Sequence, residues 1–345
     1  MSSACHPQAI RMPSAGTRKA NVMLIPVANT IRRLLAATLL AASGAVIAQP
    51  YPSRPVSIIV PYSAGGETDV IARIMAARLT DDWKRTVLVD NRAGGGTVIG
   101  TAEAANAKPD GHTLLLASFG FITNRLLIAN LPYDSASLAP LTLVATAPNL
   151  LYVHPSLPTA NLKAFIALAK SRPGQLLFAS PGYASSPHIS AELLASMAGY
   201  TFTHVPYKGT APVLTDLLGG QVHALMGVMS LMPNVRSGKL RALAVANERR
   251  VSQAPDVPTM VEAGGLHFTS ASWFGFFVQA KTPPEIAQKI YTDLRTVALT
   301  PEFRKRIADM GLDPTALSKE EFAAFLKAES EKWGAIIRAR NIKLE

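Results

Sequence analysis

The sequence predicts an α/β protein with largely parallel sheets, divided between two domains. Three observations carry that expectation. Short apolar, β-branched runs alternate with helix-periodic segments along most of the chain. Segment 56–79, VSIIVPYSAGGETDVIARIMAARL, passes from a doubly buried strand through a small-residue turn into an amphipathic helix. Two apolar stretches, near Thr146 and near Ser272, have the length and position of crossovers between one body and another.

Val56, Ile58, Ile59 and Val60 form the first strand, and Ser63, Ala64, Gly65 and Gly66 the turn after it. Val70, Ile71, Ile74, Met75 and Leu79 then recur at helical spacing, with Arg73 and Arg78 off the apolar stripe. Strand–turn–helix geometry aims free backbone N–H groups and the positive end of the helix dipole at the strand's carboxyl end, which makes an anion site from backbone alone. A second strand is expected over 86–89, a glycine loop at Asn91 to Gly96, a helix over 97–107 and, after the turn Pro109-Asp110-Gly111, a strand over 113–117. Segment 141–153 is long and apolar, is interrupted by Pro148, and reads as the first crossover.

Beyond it come a helix over 161–170, a strand over 176–179, the turn SPGYASSPH (Ser180 to His188) and a helix over 189–197. The segment Val205 to Gly209 leads to a short helix over 211–218 that Gly219-Gly220 ends. Strands are expected at 224–228, 240–246 and 273–278, and surface helices at 285–298, 301–310 and 319–340. The expected organisation is a discontinuous domain of residues 49–146 plus 273–345 around an inserted domain of residues 147–272.

Residues 1–48 have the makeup of a secretory leader. Arg11, Arg18, Lys19, Arg32 and Arg33 carry all its charge, the run Leu34 to Ala48 is apolar, and Val46 with Ala48 fits a small-residue cleavage site. Thr30 to Leu34 matches a twin-arginine signal poorly, so ordinary Sec export to the periplasm is expected. Loss of those five basic residues lowers the formal charge from +11 to +6. No block of Lys/Arg interleaves with aromatics, which argues against nucleic acid as a partner. The single cysteine, Cys5, lies in the leader, so the exported chain has neither disulfides nor a thiolate nucleophile.

Candidate sites divide into anion-holding loops and isolated side chains. The turn at Gly65-Gly66 lacks the Lys-Ser/Thr ending of a phosphate loop. Gly94, Gly96 and Gly100 miss the dinucleotide spacing by one position, so a turn needing positive φ is the better reading. Asp69 is balanced between a ligand contact and complementation of its helix dipole, and Arg92 between a ligand and a structural ion pair. Ser180, Ser185 and Ser186 offer hydroxyls, Gly182 offers backbone freedom, and a helix beginning near Pro187 aims N–H groups at the same place. His188 is more readily a cap or satisfied core residue than a base. Lys208 suits an anion or solvent. Tyr62, Phe119, Tyr207 and Trp273 are compatible with a pocket but more commonly belong to the core. No histidine pair has metal-ligand spacing, and no nucleophile elbow or complete triad is present.

These residues, taken in order, resemble the Bug-type, or tricarboxylate-receptor-like, periplasmic solute-binding proteins of tripartite tricarboxylate transporters. The resemblance runs through PYxxGGxxDxxAR (Pro61 to Arg73), NRxG (Asn91 to Gly94) and PDG (Pro109 to Gly111). VPYKG (Val205 to Gly209), DLLGGQV (Asp216 to Val222), GKLRALAV (Gly238 to Val245) and DVPTxxExG (Asp256 to Gly264) continue it. It implies a two-domain periplasmic binding protein fold of type II, with a small carboxylate held in the cleft by one loop from each domain. It implies no catalytic residues, cofactor or metal. The partners it implies are a small organic acid and, transiently, membrane-embedded transporter subunits, with the receptor itself a monomer.

The ligand-binding set expected from the first domain is Tyr62, Ser63, Gly65, Gly66, Glu67, Asp69 and Ser118. From the inserted domain it is Ser180, Gly182, Ser185, Ser186, His188 and Lys208. Departures from the family pattern include Ala184 in place of a glycine, and His223 to Gly227, which lacks the aspartates common there. That loss of negative charge is expected to make amine-bearing ligands less attractive. Two other functions compete with transport: a co-receptor that presents its ligand to a membrane signalling protein, and a secreted α/β hydrolase using His188.

Overall fold

A computed structural model describes residues 51–339 and 341–343; the expected leader and Cys5 lie outside them. The described chain forms two mixed sheets with helices on their faces. The first sheet holds β1 (Val56–Val60), β2 (Val87–Asn91), β3 (Thr113–Ala117), β4 (Leu138–Pro148), β10 (Ala271–Gln279) and β11 (Asp313–Pro314), in the order β11-β4-β10-β3-β1-β2. The second holds β5 (Leu150–Val153), β6 (Leu177–Ser180), β7 (Thr203–Pro206), β8 (Ala224–Gly227) and β9 (Arg241–Val245), in the order β7-β6-β8-β5-β9.

β1 pairs in parallel with β2 and β3, while β10 runs antiparallel to both β3 and β4, and β11 antiparallel to β4. Strands β1 to β4 therefore point one way and β10 and β11 the other. In the second sheet β6 is parallel to β7 and β8, and β5 is antiparallel to β8 and β9, so only β5 is reversed. The sheets are predominantly parallel in direction, as the apolar runs predict. The reversed β5 and β10 lie next to the places where the chain changes sheet.

The apolar run expected over 141–153 is thus two strands in different sheets, with Asn149 alone between them. Pro148 closes β4, and Asn149 supplies the polar groups that hold the passage together. Its N–H donates to the Ser270 carbonyl at 2.9 Å, and its carbonyl accepts from the Ala246 N–H at 2.7 Å. Its amide nitrogen bonds the hydroxyls of Ser186, Ser190 (3.1 Å) and Ser270 (2.8 Å), and its Oδ1 accepts from Ser272 at 3.3 Å. Asn149 is fully buried. A buried amide is tolerated only where it is satisfied in this way.

Helices α1 (Glu67–Trp83), α2 (Val98–Ala105) and α3 (Gly120–Leu127) follow β1, β2 and β3; α9 (Pro284–Leu299), α10 (Pro301–Asp309) and α11 (Lys319–Ala339) follow β10. On the second sheet are α4 (Leu162–Ser171), α5 (Ser186–Ala198), α6 (Thr210–Leu218), α7 (Met232–Arg236) and α8 (Met260–Gly264). One face of the first sheet buries Ile71, Met75 and Leu79 of α1 with Ile290 and Leu294 of α9. The other buries Phe119, Trp273, Phe277, Phe322 and Trp333. Gly275 of β10 is required for that packing: a Cβ there would overlap the Phe322 ring. The second sheet has its own two apolar faces, around Phe165 and Phe178 on one side and Tyr152 and Leu217 on the other.

Candidate ligand cleft

Three helices begin at one cavity. α1 starts at Glu67 after Gly66, which is extended (φ −85°, ψ 173°) and offers no capping side chain. α6 starts at Thr210 after Gly209, also without a side-chain cap. α5 starts at Ser186; the Ser185 hydroxyl accepts the His188 N–H at 3.4 Å, a long cap, and Pro187 brings no donor. First-turn N–H groups have no intrahelical partner, so these three starts turn unpaired donors and positive dipole ends inward. Gly66, Glu67, Ser185, Ser186 and Thr210 all line the cavity.

The walls are a mixture. Val213, Leu225, Met226, Val228 and Phe274 supply apolar surface, and Tyr62, Thr68, Ser118 and Ser272 supply hydroxyls. Tyr152, on β5 beside β8, donates to the Val228 carbonyl at 3.0 Å and fixes that rim. Among the described residues no Lys, Arg or His lines the cavity, and the one charged side chain there is Glu67. Glu67 reaches across to the other sheet's side, where its Oε2 accepts from Thr210 at 2.8 Å and its Oε1 from Ser230 at 2.6 Å. The Ser63 N–H donates to the Lys208 carbonyl at 2.7 Å, and the Thr123 hydroxyl bonds the Ala184 carbonyl. Burial pushes the Tyr62 hydroxyl above its usual range; the bond with Ser118 opposes that shift and the Glu67 charge adds to it.

Of the residues expected from sequence, Tyr62, Gly66, Glu67, Ser118, Ser185 and Ser186 meet at the cavity. The others stand behind it or beside it. Gly65 donates its N–H to Asp69 at 2.9 Å, and Asp69 is ion-paired with Arg73 at 2.9 Å. Burial raises the Asp69 carboxyl, but hydrogen bonds from Arg73 and the Gly65 amide outweigh it and hold the group below the carboxylate range. Asp69 thus fixes the turn. Ser63 and Lys208 join the lobes through backbone, and the Lys208 side chain is exposed.

Ser180 is fully buried: its hydroxyl donates to the Gly182 carbonyl at 2.9 Å and meets His204 Nε2 at 2.7 Å. The Gly182 carbonyl also accepts from Ser185 at 2.6 Å. His188 accepts the Ala184 N–H at 3.2 Å and stacks on His204, facing a different pocket beside Glu192 and Tyr200. These groups shape the loop from Ser180 to His188 rather than present atoms to the cavity.

The remaining candidates resolve as packing. Gly94, Gly95 and Gly96 all have positive φ, and Gly96 lies against the Tyr183 backbone. Arg92 is ion-paired with Asp90 (2.9 Å) and Glu103 (3.4 Å). Phe119 and Trp273 are core, and Tyr207 donates to Asp216 at 2.6 Å. Sequence reasoning missed Thr68, Thr210 and Ser272 as lining residues, although Thr68 sits inside the Pro61–Arg73 motif; the strand end over 223–227, whose missing aspartates the sequence tied to ligand preference, does contribute Leu225, Met226 and Gly227 to the cavity. The motif Val205 to Gly209 and the helix expected over 211–218 were the signals available for Thr210.

Two lobes, with helix starts from both aimed into a cavity between them, define a solute-binding protein of the periplasmic type. Residues 71–342 match the family model described as "Tripartite tricarboxylate transporter family receptor". The chain belongs to that family. It is 35% identical over 304 residues to protein BugT of Bordetella pertussis, covering 87% of this chain and 93% of that protein. An R. palustris protein solved with adipate is 32% identical, with a TM-score of 0.81 over 85% of this chain and 99% of its own. The periplasmic binding protein BugD (31%, TM-score 0.81) covers 86% of this chain and 100% of its own. MatC from Rhodopseudomonas palustris with bound malate (28%, TM-score 0.79) covers 83% and 100%.

Proposed function

We propose that this protein is a periplasmic receptor that captures a small carboxylate-bearing metabolite and delivers it to the membrane-embedded subunits of a tripartite tricarboxylate-type transporter. One observation carries the reading: helix starts from both lobes converge on a single cavity without a cationic side chain among its lining residues. Such a site holds an anion through backbone N–H groups and helix dipoles. The ligand carboxylate sits on the amides of Gly66, Glu67 and Thr68, and Ser118, Ser185, Ser186 and Ser272 complete its hydrogen bonds. Solved relatives that carry adipate and malate support the ligand class.

The closing lobes are the body that carries the first sheet (β1–β4, β10 and β11) and the body that carries the second (β5–β9), which the expected boundaries at 146/147 and 272/273 match to within two residues. Export uses the leader over residues 1–48, and the receptor acts as a monomer that meets its transporter transiently. In this reading it binds and releases its ligand unchanged, as the family's description as a receptor implies.

Isothermal titration calorimetry against a panel of organic acids tests the reading. Binding of a carboxylate with release of binding in Gly66→Asp is the expected result. Gly66 has an ordinary φ and 3.7 Å of clearance to Thr210, so the variant folds while placing a charge among the amides. A protein that takes only uncharged sugars or metal ions would overturn the proposal.

A further inference from the structure

Glu67 puts a negative charge in a cavity that otherwise attracts anions. Its two hydrogen bonds come from the neutral hydroxyls of Thr210 and Ser230, which satisfy its geometry without balancing its charge. No lining residue is Lys, Arg or His. The charge acts across the site: with burial first and Glu67 second, the Tyr152 hydroxyl is driven upward, and Tyr62 feels the same carboxylate. The strand over residues 224–227 brings no acid, so the sequence leads one to expect little attraction for amines. Glu67 supplies that missing charge from the other lobe.

We propose that Glu67 selects the ligand: the cleft takes a zwitterion, one carboxylate accompanied by an ammonium group, in preference to a dicarboxylate. This inference rests on the carboxylate-receptor reading and narrows it. A ligand carboxylate on the first-turn amides of α1 leaves any second polar group within a cavity that Glu67 itself lines. A second carboxylate there is repelled with little water to screen it, whereas an ammonium is attracted and can donate to the lone pairs that Thr210 and Ser230 leave free. The apolar wall of Val213, Leu225 and Phe274 accommodates the carbon skeleton between them.

Calorimetry with wild type and Glu67→Gln tests this, on a panel of plain monoacids, diacids and amino acids that includes length-matched pairs. In succinate with 4-aminobutanoate, and adipate with 6-aminohexanoate, one carboxylate is exchanged for an aminomethyl group. The tightest wild-type ligand is expected to be a zwitterion, preferred over its diacid by about tenfold or more, as one unscreened like-charge contact implies. Glu67→Gln keeps an oxygen to accept from one of Thr210 and Ser230 and turns an N–H donor toward the other's hydroxyl oxygen, and its melting temperature reports that it folds; its preference is expected to fall at least about tenfold. A plain acid or diacid as the tightest wild-type ligand, or an unchanged preference in the variant, overturns the selection alone. A wild type that binds no carboxylate at all overturns the receptor reading, and this inference with it.

Discussion

At His204 the protein keeps an imidazole neutral. The ring stacks on that of His188 at 3.9 Å between centroids, with Tyr183 edge-on to both, and its Nε2 meets the Ser180 hydroxyl. Glu192 is the acid nearest the pair, 3.7 Å from His188 Nε2. Burial first, and then the charge His188 can carry, push the His204 pKa down to about 3. An unfolded histidine titrates near 6.5, so below that pH the unfolded chain binds a proton that the folded chain refuses. The contribution is complete above pH 6.5 and is lost as pH falls toward 3, with a slope of at most about 1.4 kcal/mol per pH unit. Urea unfolding midpoints are expected to drop between pH 6.5 and 4, and to drop less in His204→Gln, which keeps a polar partner for Ser180. Equal slopes in the two proteins would remove His204 from this role. The sequence marks His188 in this neighbourhood but carries no sign of His204, because the pairing depends on β6 and β7 lying side by side.

Among the elements, β10 does the most to unify the first lobe. It pairs with both β3 and β4, and its Gly275 lets α11 approach closely enough to lay Phe322 on the strand. Gly275→Ala is expected to destabilise the protein by about 1–3 kcal/mol, through overpacking rather than through lost strand pairing. Thermal or urea denaturation of the variant, with ligand affinity largely retained, is the check. Apolar periodicity made β1, β3, α9 and α11 legible within a few residues, since each buries a continuous stripe. The helix starts were less legible. α1 and α5 begin at Glu67 and Ser186, three residues before the starts that apolar spacing suggests, because their first turns are polar and face the cleft. α3 was not anticipated: its helix opens with Gly120 and three buried polar or small residues, Gly120, Thr123 and Asn124, interrupt the apolar pattern. The same polar first turns that blur an element boundary are the ones that make the cavity.

In the molecule as a whole, Glu67 makes two of the polar contacts that tie the lobes across the cleft, beside Ser63–Lys208 and Thr123–Ala184. The sequence marked both jaws, at residues 62–69 and 180–188, and a helix over 211–218, but not that this helix's start at Thr210 faces the cavity, nor the turn bearing Ser230. Neither has meaning until the lobes face each other. Bonds from Thr210 and Ser230 to a carboxylate are charge-assisted and of the order of 1.5–3 kcal/mol each, whereas the Ser63–Lys208 bond is an ordinary neutral one. In a receptor that closes on its ligand, the pair on Glu67 biases the closed form, and such a receptor binds in proportion to the fraction already closed. The double variant Thr210→Val, Ser230→Ala removes both donors and leaves Glu67 unsatisfied if the lobes close. Its population is expected to shift toward the open form by about tenfold or more, which follows from the loss of about 1.4 kcal/mol or more. Small-angle scattering without ligand should then show a larger radius of gyration than wild type, contracting to the wild-type value when ligand is saturating. The apparent affinity should fall by the same factor as the closed fraction. A variant as compact as wild type before ligand is added, with undiminished affinity, would mean that apolar contact between the lobes sets their closure and that the bonds to Glu67 merely accompany it.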